Sequence, residues 1–413
     1  MRLSALNLSV TSRALFAGRP FQTPPLPPLP TFAFPAVQSK MAAGQRSQIA
    51  IVGDSAVAGW GSGVATGTTT AGTGAGTSPN YLRAKAWPQQ LKDQLVARGI
   101  PCRADAYFSS QVNSVIADMV AANPNIQVGT GWTLSNYSLS GTMLTCANTV
   151  TTASVFIPGD AAADSFDIIH AAQSGLGTIT FTDEDGWTQS INCGSIAGAQ
   201  VTNSAGTLGL KRTTISRPTA SQKPISITRS AGNQILIVAI IPYNSASPAL
   251  ELLNMGWPSS KAYGTTGSGH WNIYSDSTTM SAATPYNALG ALNSDAYIIE
   301  LGTNDQANGV IPADFQTAMT NIASKLKGQA GGNGANVALV KCRTTIGGYA
   351  SYNMSSDMLA VIDTVTTNLS LAPIINYNAI PFTSDTDRFD GTHLSAQGYA
   401  KEAAVARQAL IGA

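Results

Sequence analysis

Charge is scarce in this chain. Only 11% of the 413 residues are Asp, Glu, Lys or Arg, and 23 basic against 22 acidic residues leave a net charge of +1. There is no basic run, so the electrostatic footprint of a nucleic-acid binder is missing, as is a patch for an anionic membrane surface. The three histidines, His170, His270 and His393, are too few and too widely spaced for a histidine-rich metal site. The four cysteines, Cys102, Cys146, Cys193 and Cys342, show no Cys-x-x-Cys spacing, which argues against a zinc or redox centre. Cys146 and Cys193 share one segment and either pair or remain buried free thiols. No stretch of about 18 apolar residues exists, so no membrane span is expected. The N-terminus, MRLSALNLSVTSRALFAG, is a poor signal peptide, because Asn7, Ser9, Thr11, Ser12 and Arg13 interrupt its apolar residues. No metal or cofactor is expected.

What the chain does have is apolar and small. Apolar residues make up 44%, enough for a sizeable core, and there are 39 glycines among frequent Ser, Thr and Asn. The exterior therefore reads as rich in strands and loops, facing solvent or sugar. The length allows two or three domains.

Residues 1–46 form a distinct piece. Pro24, Pro25, Pro27, Pro28, Pro30 and Pro35 give a polyproline-type segment expected to form neither helix nor central strand. It reads as a stiff linker or disordered tail, or as an arm laid on a partner surface with Leu26, Leu29, Phe32 and Phe34 as anchors. Residues 47–109 begin with the apolar run Ile49–Val52, the signature of a strand buried on both faces. A Gly/Thr-rich loop and a helix opening at Trp87-Pro88 follow. Residues 110–245 change texture to short strand-like segments with turn signals such as Asp185-Gly186, which suggests an inserted β-sandwich. There His170 reads as a strand-face residue. Residues 246–413 alternate strands (ALELLNMGW, DAYIIELG, NVALVKC, LAPIINYN) with helices. The clearest helix carries Phe315, Met319, Ile322 and Leu326 at i, i+4, i+7 and i+11. Alternation of this kind argues for a parallel sheet with helices on both faces.

Three stretches end strands of that sheet or follow them: Gly53-Asp54-Ser55, Gly302-Thr303-Asn304-Asp305 and Asp390-Gly391-Thr392-His393. The C-terminal edge of an open α/β sheet is where ligands bind. A serine hydroxyl is a poor nucleophile until a base takes its proton, and an acid must hold that base. Asp390 stands three residues before His393, within reach of the imidazole Nδ1, which leaves Nε2 to face Ser55. Each stretch read alone is ordinary turn or cap chemistry; their order at successive strand ends is what points to a site.

The ordered set resembles the SGNH hydrolases, the GDSL esterase/lipase superfamily, over roughly residues 47–108 and 248–413. The resemblance implies an α/β fold with a flavodoxin-like, three-layer parallel sheet, here with an inserted, jelly-roll-like β-sandwich and an extended N-terminal arm. It implies Ser55 as nucleophile, His393 as base and Asp390 as its orienting acid. It also implies an oxyanion hole of the Ser55 N–H, a second backbone N–H and the Asn304 side chain. Aligning Asn254 of LLNMGWPSS with the family's second motif puts Ser259 where a glycine is usual; the N–H serves if φ there is ordinary, and Gly256 is the alternative donor. Similar proteins with an Asn-x-Gly-Trp stretch occur in bacterial and phage settings. The expected function is removal of O-acetyl groups from a polysaccharide through an acyl-enzyme, in an extracellular, surface or virion-associated protein. Assembly partners would be met through the arm, and a homo-oligomer is left open. The alternatives are a glycan-binding assembly protein with a decayed core, using Trp132, Trp187, Tyr137 and Tyr243 as stacking platforms, and a lipase or thioesterase.

Overall fold

A computed structural model of the chain describes residues 30–63, 83–108, 125–138, 141–159, 161–202, 206–264, 288–343, 354–382, 386–387, 389 and 393–412. At its centre is a six-stranded, all-parallel sheet. Its strands are β1 (Ser47–Gly53), β2 (Cys102–Arg103), β3 (Leu250–Gly256), β4 (Ala296–Glu300), β5 (Val337–Lys341) and β6 (Ile375–Asn376), in the order β6-β5-β4-β1-β3-β2. Leaving out the two-residue edge strand β2, this is the flavodoxin-like order, whose switch point falls between β1 and β4. All seven residues of β1 are buried: the apolar run Ile49–Val52 as its pattern requires, and Ser47 and Gln48 through hydrogen bonds to Asp295 and Glu251.

The side-chain period of two splits each strand between two cores. Ile49 and Ile51 of β1 and Ala296 and Ile298 of β4 face a layer built from α1 (Pro35–Ala42), α3 (Trp87–Val96) and α8 (Ala396–Ile411). Ala50, Val52, Tyr297 and Ile299 face the other side, against α6 (Pro312–Gln329) and α7 (Ser356–Leu369). The apolar stripe of α6, Phe315, Met319, Ile322 and Leu326, is fully buried there, worth about 1.5–3 kcal/mol per side chain. Short helices α2 (Ser55–Ala58), α4 (Ala288–Leu292) and α5 (Thr303–Ala307) lie between these elements in the chain. Among the described residues no helix is long and apolar enough to cross a membrane.

The chain leaves this sheet after β2 and returns to it at β3. Between them lie two antiparallel sheets. One runs through Thr188–Asn192, Thr178–Thr182, Ile225–Ala231, Ser154–Phe156 and Ile126–Gln127; the other contains Leu208–Ser221, Ala163–Gln173, Ile235–Tyr243, Gly141–Cys146 and Thr133–Ser138. They pack face to face through Phe156 and Phe166, whose rings meet edge-on at 6.4 Å, so the insert is a β-sandwich. Cys146 and Cys193 do not pair; all four cysteines are free and buried. His170 sits inside the sandwich with Nε2 3.0 Å from Thr213 Oγ1, and burial pushes its imidazole down to about 4, the state of a neutral core residue. Trp132 is core rather than platform. The face of Tyr243 is covered by the Arg46 guanidinium at 3.7 Å. The side chain of Tyr137 lies outside the described residues.

Two expectations for the arm change. Pro35 opens helix α1 instead of excluding it, because proline in the first helical turn forfeits no hydrogen bond and the next seven residues contain no other proline. Phe32 and Phe34 are anchors, but in this chain's own core, at 3% and 1% exposure. The Ala33 N–H donates to the Leu410 carbonyl at the end of α8, 2.7 Å away. Pro24–Leu29, with Leu26, lie outside the described residues. Phe34→Ala is expected to cost about 3–5 kcal/mol of unfolding free energy, measured by urea denaturation; a loss below about 1 kcal/mol would mean that this segment is not part of the core.

Candidate active site

The candidate nucleophile is built from the end of β1. A Cβ at Gly53 would lie 2.2 Å from Val57 Cγ2 and 2.8 Å from the Glu300 carbonyl, so no side chain fits. The Gly53 carbonyl accepts the Trp257 N–H at 2.9 Å and the Ser260 hydroxyl at 3.1 Å. Asp54 caps α2, its Oδ1 accepting the Ala56 N–H at 2.8 Å; burial, ahead of every other effect, raises its pKa. Ser55 then opens α2, 8% exposed, with Oγ 2.9 Å from His393 Nε2 across 338 positions of sequence.

Two backbone hydrogen bonds anchor the chain around His393. The Ser395 N–H donates to the Asp387 carbonyl and the Phe389 N–H to the His393 carbonyl, both at 2.9 Å. The Ser395 side chain, not His393, caps α8. The Trp60 ring lies 5.8 Å from the imidazole, and Tyr399 donates to the Trp60 carbonyl at 2.7 Å. A Cβ at Gly61 would sit 2.7 Å from the Leu394 carbonyl, so the exit of the serine turn packs directly on the histidine loop. Asp390, Gly391 and Thr392 lie outside the described residues.

Asn304 comes from α5, just after β4. Its Nδ2 donates to the Ser260 carbonyl at 3.0 Å and lies 3.3 Å from Asp54 Oδ2. It thus joins the serine turn to the loop after β3. Its neighbour Asp305 fastens that loop from below, accepting the Ala262 and Tyr263 N–H groups at 2.9 and 2.8 Å. Burial is the main reason its carboxyl is pushed up to about 6. Sequence reading singled out Gly-Thr-Asn-Asp without giving Asp305 a role; two backbone donors converging on one carboxylate is a tertiary fact.

Gly256 is corrected as a donor. Asn254 Nδ2 donates to the Val57 carbonyl at 2.8 Å, and Asn254 Oδ1 takes the Gly256 N–H at 3.0 Å, so that N–H is committed. Gly256 is required for a different reason: a Cβ there would lie 2.1 Å from the Ala58 nitrogen. Ser259 is exposed at the apex of the turn closed by the Ser260 N–H on the Trp257 carbonyl. Its φ is +64°, not the ordinary value expected. The backbone has the left-handed form that glycine adopts freely, and serine holds it at a cost of about 1–2 kcal/mol. Among the described residues no acceptor engages the N–H of Ser55 or of Ser259.

No family model matches the chain, and no curated protein matches it by sequence. Among solved structures, a peptidoglycan O-acetylesterase matches 91% of this chain and 95% of its own, at 13% identity and a TM-score of 0.56. A family two carbohydrate esterase from Cellvibrio japonicus matches 69% of this chain and 95% of its own, at 13% identity and a TM-score of 0.31. A lipase/acylhydrolase from Enterococcus faecalis matches 39% and 75%, at 16% identity and a TM-score of 0.29. The first likeness is one of fold, and the other two are too distant to carry an argument. With its parallel sheet in flavodoxin-like order and its inserted antiparallel sandwich, the chain has the SGNH hydrolase fold.

Proposed function

We propose that the chain is a serine esterase of SGNH type that removes O-acetyl groups from a polysaccharide. The observation that carries the reading is the 2.9 Å contact between Ser55 Oγ and His393 Nε2, a nucleophile and a base within hydrogen-bond reach at the C-terminal edge of a parallel sheet. His393 Nε2 takes the Ser55 proton as Oγ attacks the ester carbonyl. The tetrahedral oxyanion is met by the Ser55 N–H, the Ser259 N–H and the Asn304 amide, whose longer 3.3 Å contact with Asp54 is the one that gives way. His393 then hands the proton to the departing sugar hydroxyl, leaving an acetyl-enzyme on Ser55. Water repeats the sequence and releases acetate. Asp390 is the acid that orients His393.

Several features support a sugar ester over a lipid. The chain is nearly neutral with few charges, and it carries a sandwich beside the hydrolase sheet. A protein it resembles in fold is a peptidoglycan O-acetylesterase. A surface or virion setting, with residues 1–29 reaching a partner, belongs to the same proposal. The intact Ser55–His393 pair speaks against a decayed core.

With acetate release from an O-acetylated polysaccharide as the readout, Ser55→Ala is expected to lose about a thousandfold or more in kcat; equal rates would refute the assignment. Ser259→Gly keeps the backbone donor and removes the left-handed strain. It is expected to gain about 1 kcal/mol of stability in thermal or urea unfolding while retaining p-nitrophenyl acetate hydrolysis. A loss of stability would show that the serine side chain, not the backbone, governs this turn.

A further inference from the structure

Beneath the serine turn lies a buried set of charges that the mechanism above does not use. Glu300 ends β4, opposite Gly53 in the β1–β4 register, and continues the Ala296–Ile298 stripe onto the face covered by α3 and α8. It is 1% exposed. One oxygen, Oε2, accepts the indole Nε1–H of Trp87, the first residue of α3, at 2.9 Å. Glu402, on the helix that follows His393, is fully buried and its Oε1 meets Arg343 Nη1 at 2.5 Å. Among the described residues its second oxygen has no hydrogen-bond partner. Asp54, the cap of the serine turn, faces the same set.

The charge count does not close. Among the described residues, three buried carboxyls, Asp54, Glu300 and Glu402, share one guanidinium, Arg343. Fully ionised, they would leave two uncompensated negative charges out of water, which proteins avoid by keeping a proton. Arg343 pairs directly with Glu402, and the Ala56 N–H serves Asp54. Among the described residues, the hydrogen bond that the Glu300 carboxyl receives comes from the neutral Trp87 indole, and no cation pairs with it directly. The other titratable groups facing it are Cys342 after β5, Tyr377 after β6 and Tyr399 on α8; burial raises all three, so they stay neutral. Arg343 stays charged throughout. Burial first, then the Glu402 charge, raises the Glu300 carboxyl well above the usual carboxylate range.

We propose that Glu300 is a positioning residue that works as a neutral carboxylic acid, holding the serine turn, α3 and the histidine-bearing segment on one seam, and that loss of its proton sets the alkaline limit of the reaction. The link to rate rests on the esterase reading above; the link to folding does not. A new negative charge under Gly53 repels Asp54 and opposes the negative charge that develops on the oxyanion beside Ser55. The direction follows from linkage: the folded state binds this proton more tightly than the unfolded chain. The stability it gives is therefore complete below the ordinary carboxylate range and is lost as pH rises through the raised folded value.

The test compares the wild type with Glu300→Gln, whose amide oxygen still accepts the Trp87 N–H. Both kcat for p-nitrophenyl acetate and Tm are measured against pH. In the wild type the two are expected to fall together on the alkaline side. In Glu300→Gln that fall moves up by at least about one pH unit, giving about a tenfold higher kcat than wild type at the far end of the limb, while the acidic limb stays in place. A Glu300→Gln profile that follows the wild type overturns the proposal, and so does a uniform loss at every pH, the mark of a merely structural contact. Where Glu300→Gln does not fold, the proton is read in the wild type from the Trp87 emission, with Trp87→Phe as control. No titrating component removed by that control overturns the proposal as well. If the wild type cleaves no ester, the Tm arm still decides Glu300, and the failure falls on the esterase reading alone.

Discussion

Everything at the candidate site depends on there being no side chain at Gly53. The missing Cβ lets the β1 backbone come against Val57 on one side and the Glu300 carbonyl on the other. It also leaves the Gly53 carbonyl open to Trp257 and Ser260 from the loop after β3. Gly256 does the same one strand over, against the backbone of Ala58. Two glycines in register thus allow the serine turn to sit between β3 and β4, at the switch point of the sheet. From there a hydroxyl can face a histidine delivered by the last loop of the chain.

The sandwich is fastened at the other end of the same strands. Arg46, just before β1, bridges Glu251 near the start of β3 at 2.5 Å and Asp167 of the sandwich at 2.6 Å. Arg212 reaches the same Asp167 at 2.5 Å. β1 has seven residues, so roughly 20 Å of strand separates this lock from Ser55. The lock fixes the insert to the parallel sheet without entering the candidate site, and the C-terminal edge of the sheet is left to its own loops.

Much of this was legible in the residues. Strands buried on both faces announce themselves as unbroken apolar runs, and the α6 stripe at Phe315, Met319, Ile322 and Leu326 announces its helix. The pairing of Ser55 with His393 followed from chemistry plus the order of strand ends. What was hidden depends on contacts between distant segments. The proline-rich start read as an arm because nothing local reveals that Phe32 and Phe34 find a pocket against α8. Gly256 looked like a free donor because the claim of Asn254 Oδ1 on its N–H appears only when the strand turns. The left-handed backbone at Ser259 has no signature in a serine. Glu300 was hidden inside Tyr-Ile-Ile-Glu-Leu-Gly, where a strand pattern absorbs it and only the fold brings Glu402 and Arg343 to it.

The central claim is that Ser55 is made nucleophilic by His393 and by no other group. The most direct measurement is covalent labelling with a serine-reactive fluorophosphonate, located by peptide mass mapping in the wild type and in His393→Ala. The account predicts one adduct, on Ser55, formed quickly in the wild type and at least about a hundredfold more slowly without the imidazole. An adduct on another residue, or labelling of Ser55 at the same rate in both proteins, would contradict it.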